Sequence, residues 1–219
     1  MRKRRPIWVA SLAGLMWMLA CGPNQALWEP TPEVVSTEAP DSFVVEIETS
    51  EGSFQVKMIR EWSPLGVDRA YHLMSNDFYA GARLYRVLPE FVAQWGFSGN
   101  PALDSIWEDR TLEDEPAVAS NVRGTVSFAR AGRRTRNFTL FINLVDNERL
   151  DGLLSGGVVG YPPIGRIEQG LEVVDGFYAG YQNDPPFQDS LEIRGNAYLR
   201  QSYPQLDSIV STRVITGWP

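Results

Sequence analysis

Between Phe43 and Ile215 the chain keeps reversing its pattern: short apolar runs, several alternating with polar residues, are cut by glycine before they lengthen. Alternation with period two is what a half-buried strand requires, because successive side chains point to opposite faces. "FVVEIETSEGSFQVKMI" predicts two such strands joined at Ser50-Glu51-Gly52, a hairpin. Downstream, "GTVSFARA", "FTLFINLV" and "GGVVGYPPIGRI" repeat the theme, and "DSIVSTRVI" predicts a last strand. Helical stripes are few. "SPLGVDRAYHLMSNDFYAG" sets Leu65, Val67, Ala70, Leu73 and Met74 on one face, and "GLEVVDGFYAGY" predicts a second, short helix. Many short strands with few helices predict an all-β barrel or sandwich with helical caps.

The first residues follow a different rule. Arg2, Lys3, Arg4 and Arg5 precede an apolar run of 14 residues, Ile7 to Ala20. A bilayer span takes roughly 20, so the run is too short for one and has the layout of a leader. It closes at Cys21, the single cysteine, which makes a disulfide within the chain impossible. A cysteine in this place resembles a bacterial lipoprotein signal, in which it is acylated and becomes the mature N-terminus. Residues 1–20 are therefore expected to be a signal peptide and Cys21 the lipidation site. Residues 21–42, with Pro23, Pro30, Pro32 and Pro40 among Thr, Ser and Glu, predict a tether. The domain is expected to occupy residues 43–219, outside the cytoplasm and lipid-anchored to a bacterial membrane, on the periplasmic face in a Gram-negative host. Without the leader the chain carries 27 acids against 16 bases, which argues against DNA or RNA as a partner.

Several chemistries fail on inventory. His72 is the only histidine, sits inside the first predicted helix, and is expected to pack or cap there. No Gly-x-Ser-x-Gly elbow accompanies it. A lone leader cysteine and a lone histidine give no Cys/His zinc set. The acidic run "WEDRTLEDEP" is expected to be solvated loop charge, and "GLLSGGVVG" lacks the Lys-Ser/Thr of a phosphate loop. What remains is "LYRVLPEFVAQWGFSG", where a permanent cation, Arg86, stands among Tyr85, Val87, Phe91 and Trp95.

Taken in order, "YRVLPEFVAQWG", "GTVSFARAG", "LFIN", "LDG" and "GRIEQGLEVVD" resemble the cyclophilin-type peptidyl-prolyl isomerases, over roughly Phe43 to Ile215. The family's first motif, Phe-or-Tyr, Arg, Val, hydrophobic, Pro, x, Phe, x, x, Gln, fits Tyr85 through Gln94 with nothing inserted. The ending "GNAYLRQSYPQLDSI" is similar to a bacterial subgroup with an extended C-terminal segment. The resemblance implies an eight-stranded antiparallel closed β-barrel capped by two α-helices. It implies catalysis of rotation about X–Pro bonds in extracytoplasmic clients, with no cofactor and no metal, by a monomer whose partners are proline-containing polypeptides. A proline-peptide-binding chaperone or envelope assembly module with little turnover is the alternative.

By the same resemblance Arg86 is the donor to the prolyl nitrogen and Gln94 orients it and holds substrate backbone. Phe91 and Phe141 wall the proline pocket, Val92 and Leu150 complete its apolar lining, and Ala129 and Arg130 lie where substrate backbone pairs. The rim departs from the family pattern. Arg149 stands where many members have Trp or Phe, Arg130 where many have Asn, and Thr139 where Gln is common; the histidine that often follows "LDG" is absent. Altered substrate preference and weak binding of the family's cyclic-peptide drugs are expected from that rim.

Overall fold

The computed structural model describes residues 24–182 and 184–218; the leader and Cys21 lie outside them. The predicted hairpin is the start of the sheet. Strands β1 (Ser42–Thr49) and β2 (Gly52–Ile59) pair antiparallel about Ser50-Glu51, with Thr49 opposite Gly52. Phe43, Val45 and Ile47 lie across from Met58, Val56 and Phe54, and none of the six is more than 2% exposed. Each such apolar cross-strand pair contributes roughly 0.2–1 kcal/mol relative to alanine pairs.

The remaining strands are β3 (Arg86–Val87), β4 (Val92–Trp95), β5 (Thr125–Phe128), β6 (Leu140–Asn143), the small pair β7 (Leu154–Ser155) and β8 (Val158–Val159), β9 (Pro163–Gln169) and β10 (Ile209–Trp218). Eight of them make one sheet in the order β10-β1-β2-β9-β5-β6-β4-β3, with every neighbouring pair antiparallel. The fold is mainly β, as expected, but the sheet is an open, curled half-barrel rather than a closed barrel. The reason lies at the seam. Strand β3 is two residues long, and the segments preceding β3 and β10 meet in a single Arg83–Ser208 bridge instead of a continuous ladder. Backbone bonds from Gly81 to Ile209 and from Leu84 to Asp207 reinforce that bridge.

Among the described residues the helices number more than the two foreseen: α1 (Gln25–Trp28), α2 (Pro32–Val35), α3 (Pro64–Ser75), α4 (Pro101–Glu108), α5 (Arg149–Gly152), α6 (Leu171–Asp175) and α7 (Gln188–Ser202). Helices α3 and α6 occupy the two predicted stretches. Helix α7, from the extended C-terminal segment, bends at Gly195, whose φ of 51° and ψ of −141° are not helical. A Cβ there would stand 2.4 Å from the Gly99 carbonyl oxygen, so glycine permits the close approach of α7 to the loop after β4.

Residues 21–42 are expected to be a tether, and the structure docks the described part of it, from Asn24, on the domain. Leu27 and Ala39 are buried in the main core. The Trp107 indole donates to the Leu27 carbonyl at 3.0 Å, and the Ala39 amide donates to Asp68 at 2.9 Å. Proline-rich composition hid this, because two buried side chains and their backbone bonds are enough to pin a short segment. His72 is buried beside Trp107, with ring centroids 5.2 Å apart, in the packing role expected of it.

The acidic run also holds an acid that is largely withdrawn from solvent, Glu115, its side chain 11% exposed. Glu115 accepts from the Leu65 and Gly66 amides (2.9 and 3.2 Å) and from the Ser63 hydroxyl, covering the N-terminus of α3. It also pairs at 2.9 Å with Arg136, whose side chain is 1% exposed. Breaking a buried pair by removing one partner leaves the other charge uncompensated. Glu115→Ala is expected to cost about 3–5 kcal/mol of stability in urea unfolding; a loss under about 1 kcal/mol, the scale of an exposed pair, would contradict it.

Candidate active site

Strands β4 and β6 carry apolar residues on both faces, and this decides where the site forms. Ala93 and Trp95 of β4 and Leu140 and Ile142 of β6 point into the main core. The alternate residues Val92 and Phe141 join Leu150 in a second, smaller apolar cluster, with Phe91, Ala129 and Tyr161 packed against it. Period two therefore splits one ladder between a barrel core and an outer floor.

Register places the polar groups on the same floor. Arg86 pairs with Gln94, Gln94 with Phe141, and Phe141 with Ser127, one row across β3, β4, β6 and β5. Between β3 and β4 the chain turns from Leu88 to Phe91, closed by a 2.8 Å bond from the Phe91 amide to the Leu88 carbonyl. Pro89 takes the second position of that turn, where its fixed φ fits. The turn brings Phe91 over the row, with the Arg86 guanidinium carbon 5.7 Å from its ring centroid.

One cavity of about 230 Å³ is lined by Arg86, Phe91, Val92, Gln94, Ala129, Arg130, Phe141 and Leu150, and also by Leu153 and Tyr161. The structure thus brings together all eight residues singled out from the sequence and adds two. Tyr161 reaches the site from the start of β9 and meets Phe141 edge-on at 6.1 Å. Leu153 follows α5 and is 'LDG' plus one. Neither had a sequence signal, since both arrive through the path of the chain after α5.

The polar contacts inside the row are directional. Arg86 Nη1 donates to Gln94 Oε1 at 3.1 Å, and Gln94 Nε2 donates to the Tyr85 hydroxyl at 2.7 Å. Burial pushes the Tyr85 phenol far above its usual 10.0, and the Gln94 bond and the nearby Arg86 charge oppose this only in part. A second cavity of about 190 Å³ adjoins the first, sharing Gln94, Ala129 and Arg130 and adding Tyr85 and Thr139 among its walls.

The unusual rim residues have structural employment. The Arg130 guanidinium donates to the carbonyls of Ser155 (2.8 Å), Val158 (3.0 Å) and Gly160 (3.2 Å from Nε), and lies 4.4 Å over the Tyr161 ring. It therefore clamps the β7–β8 hairpin at the edge of the cavity. Arg149 lies 4.8 Å over Phe91, a second guanidinium on the same ring as Arg86. Such stacking contributes about 0.5–1 kcal/mol at an exposed site and more when desolvated.

Beneath the apolar floor runs a polar layer that sequence reasoning missed. Asn121 Nδ2 donates to Asp151 Oδ1 and to the Tyr161 carbonyl, each at 2.8 Å, and its Oδ1 accepts from Ser127 (2.9 Å) and Asn143 (3.1 Å). Asn147 donates to the Phe91 carbonyl and to Asn143, both at 2.9 Å. Leu150, Phe91 and Tyr161 are thereby fixed from below. The asparagine of "LFIN" and the aspartate of "LDG" were the only visible traces of this layer.

These observations meet the comparisons with known proteins at one point. The family model described as cyclophilin type peptidyl-prolyl cis-trans isomerase/CLD matches residues 44–195, more than half of the chain. A peptidyl-prolyl cis-trans isomerase of Acinetobacter baylyi is 26% identical over 143 residues, 65% of this chain and 75% of that protein. Peptidyl-prolyl cis-trans isomerase A of Dickeya dadantii is 28% identical over 132 residues, 60% of this chain and 68% of that protein. The crystal structure of a cyclophilin type peptidyl-prolyl cis-trans isomerase of Cryptosporidium parvum superposes with a TM-score of 0.56 at 17% identity. It covers 80% of this chain and 99% of that one, a likeness of fold. The chain belongs to the cyclophilin-type peptidyl-prolyl cis-trans isomerases and is an enzyme of that type.

The polar layer makes the floor acid-sensitive. Burial opposes ionisation of Asp151, but bonds from the Ser120 hydroxyl and from the Asn121 side chain and amide outweigh it and hold the carboxyl below its ordinary 3.8. A carboxyl depressed on folding gives stability that is present above the unfolded value and lost as pH falls through the lower folded value. Asp151→Ala is expected to cost about 1–3 kcal/mol at neutral pH, the scale for orphaned hydrogen-bonding groups. It should also flatten the stability loss below pH 3.8 in acid unfolding; a variant as stable as wild type at neutral pH would contradict the role of this layer.

Proposed function

We propose that this chain accelerates rotation about X–Pro bonds in polypeptide clients outside the cytoplasm, with Arg86 as donor to the prolyl nitrogen. The observation that carries the reading is the placement of one guanidinium beside an apolar cavity on a single row of the sheet.

The peptide bond resists rotation because its nitrogen lone pair is delocalised into the carbonyl, a barrier of ~18–20 kcal/mol. Before proline the isomers differ by under ~1 kcal/mol yet exchange over tens to hundreds of seconds. In the twisted transition state the nitrogen becomes pyramidal and its lone pair localises. A donor aimed at it then bonds better than in either planar state, which is how binding lowers a barrier. Arginine suits the task because it stays protonated and presents its donors in a fixed fork. Phe91, Phe141, Val92 and Leu150 hold the proline ring, so one side of the bond is fixed while the other turns. Gln94 accepts from Arg86 and limits where the guanidinium points. Ala129 and Arg130 border both cavities, where the rest of an extended client would run.

Arg86→Ala in the full chain is expected to lower kcat for a proline peptide by about a hundredfold or more, with little change in KM, as for loss of a donor used in the transition state. Equal turnover by both proteins would sink the arginine mechanism.

The same proposal places the enzyme, as a monomer, at a bacterial membrane through acylated Cys21. The sequence of residues 1–21 supports this. Among the described residues no helix is long and apolar enough to cross a membrane. The described segment begins at Asn24, three residues after Cys21, and is docked on α3 and α4 through Asn24–Asn76 and Trp107–Leu27 bonds. Cys21→Ser is expected to abolish incorporation of labelled fatty acid and release the protein from the membrane fraction; retained label would refute the anchor.

A further inference from the structure

We infer that Tyr85 is a positioning residue for Arg86, acting through Gln94: its hydroxyl locks the Gln94 amide so that the carbonyl faces the guanidinium. This rests on the proposed role of Arg86.

The bonding inventory fixes the direction. A guanidinium only donates, so the Gln94 group facing Arg86 Nη1 at 3.1 Å must be its carbonyl oxygen. The Gln94 amide nitrogen then points the other way and donates to the Tyr85 hydroxyl at 2.7 Å. Thr139, the residue where glutamine is common in the family, lines the same cavity as Tyr85 and Gln94. The hydrogen bonds thus form one relay, Tyr85 to Gln94 to Arg86.

Without the Tyr85 hydroxyl the relay loses its anchor. The terminal torsion of glutamine is broad and roughly two-fold, so its packing alone does not select one amide orientation. A turned amide would set NH₂ against a donor-only guanidinium. Among the described residues, Gln94 is the hydrogen-bond partner of the Arg86 guanidinium, and Phe91 and Gln94 together define where it points. Tyr85 itself is 7% exposed and meets Phe97 at 5.7 Å between ring centroids, so its hydroxyl is held in place. It does not line the cavity that holds Arg86, and it acts one residue removed from the chemistry.

The test is a mutant cycle on the full chain with a proline-peptide isomerisation assay, Tyr85→Phe against Gln94→Ala. A hydrogen bond of this kind translates to roughly a three- to tenfold effect, so Tyr85→Phe should lower kcat by that factor and leave KM unchanged. In the Gln94→Ala background the same substitution should cost nothing further. An unchanged kcat, or an equal loss in both backgrounds, would overturn the inference. Arg86→Ala separates the two readings: wild-type turnover there overturns the arginine mechanism and this relay with it. An inactive Arg86→Ala beside additive Tyr85 and Gln94 effects overturns the relay alone. Should Tyr85→Phe not fold, the wild-type protein decides by NMR, with the Gln94 side-chain amide assigned through Gln94→Ala. Slow exchange of that amide with solvent is expected, and fast exchange would overturn the relay.

Discussion

The β4–β6 ladder is the constraint on which the rest depends, because its residues are apolar on both faces. Trp95, Ala93, Leu140 and Ile142 satisfy one face by closing the main core. Val92 and Phe141 leave apolar surface on the other face, and something had to cover it. The covering pieces are Leu150 from α5, Tyr161 from the start of β9, and Phe91 from the turn around Pro89. They do not meet closely enough to fill the space, and the remaining cavity is the candidate site. A pocket on the outside of a sheet stays put because the sheet beneath it is pinned by the core. Burying those ladder residues at ~25 cal/mol per Å² of apolar surface makes slippage of the register costly.

Arginine is used in this protein in three different ways, and burial with partners distinguishes them. Arg136 is buried and neutralised by Glu115, and it ties the loop before β6 to the start of α3. Arg130 spends its donors on hairpin carbonyls, and Arg149 covers a phenyl face. Arg86 alone of these four combines the apolar cavity with a single side-chain acceptor, Gln94. The rim that departs from the family pattern is thus one in which guanidinium groups hold walls, Arg130 the hairpin and Arg149 the Phe91 ring.

Much of the site was legible because the ordered runs around Arg86, "LFIN" and "LDG" resemble the family's motifs. That resemblance, rather than any single spacing, named the eight candidate residues the structure gathers in one cavity. The docked segment from Asn24 was not legible, since its prolines and acids read as a tether and its two buried residues, Leu27 and Ala39, show no period. Helix α4 was hidden by its eight-residue length, and α7 by the glycine bend at its centre. The asparagine layer was invisible for another reason: polar residues give no period, and their partners are as far apart in sequence as Asn147 and Phe91.

The sequence by itself determined the strand alternation, the helix at 64–75 and the family, because each is written in residues close along the chain. Tertiary structure decided that the half-barrel stays open, since whether β3 and β10 form a ladder depends on the path of loops between them. It also decided that Glu115 guards a helix end and pairs with Arg136. These are meetings of residues 50 and 21 positions apart, and only the folded path of the backbone sets such distances.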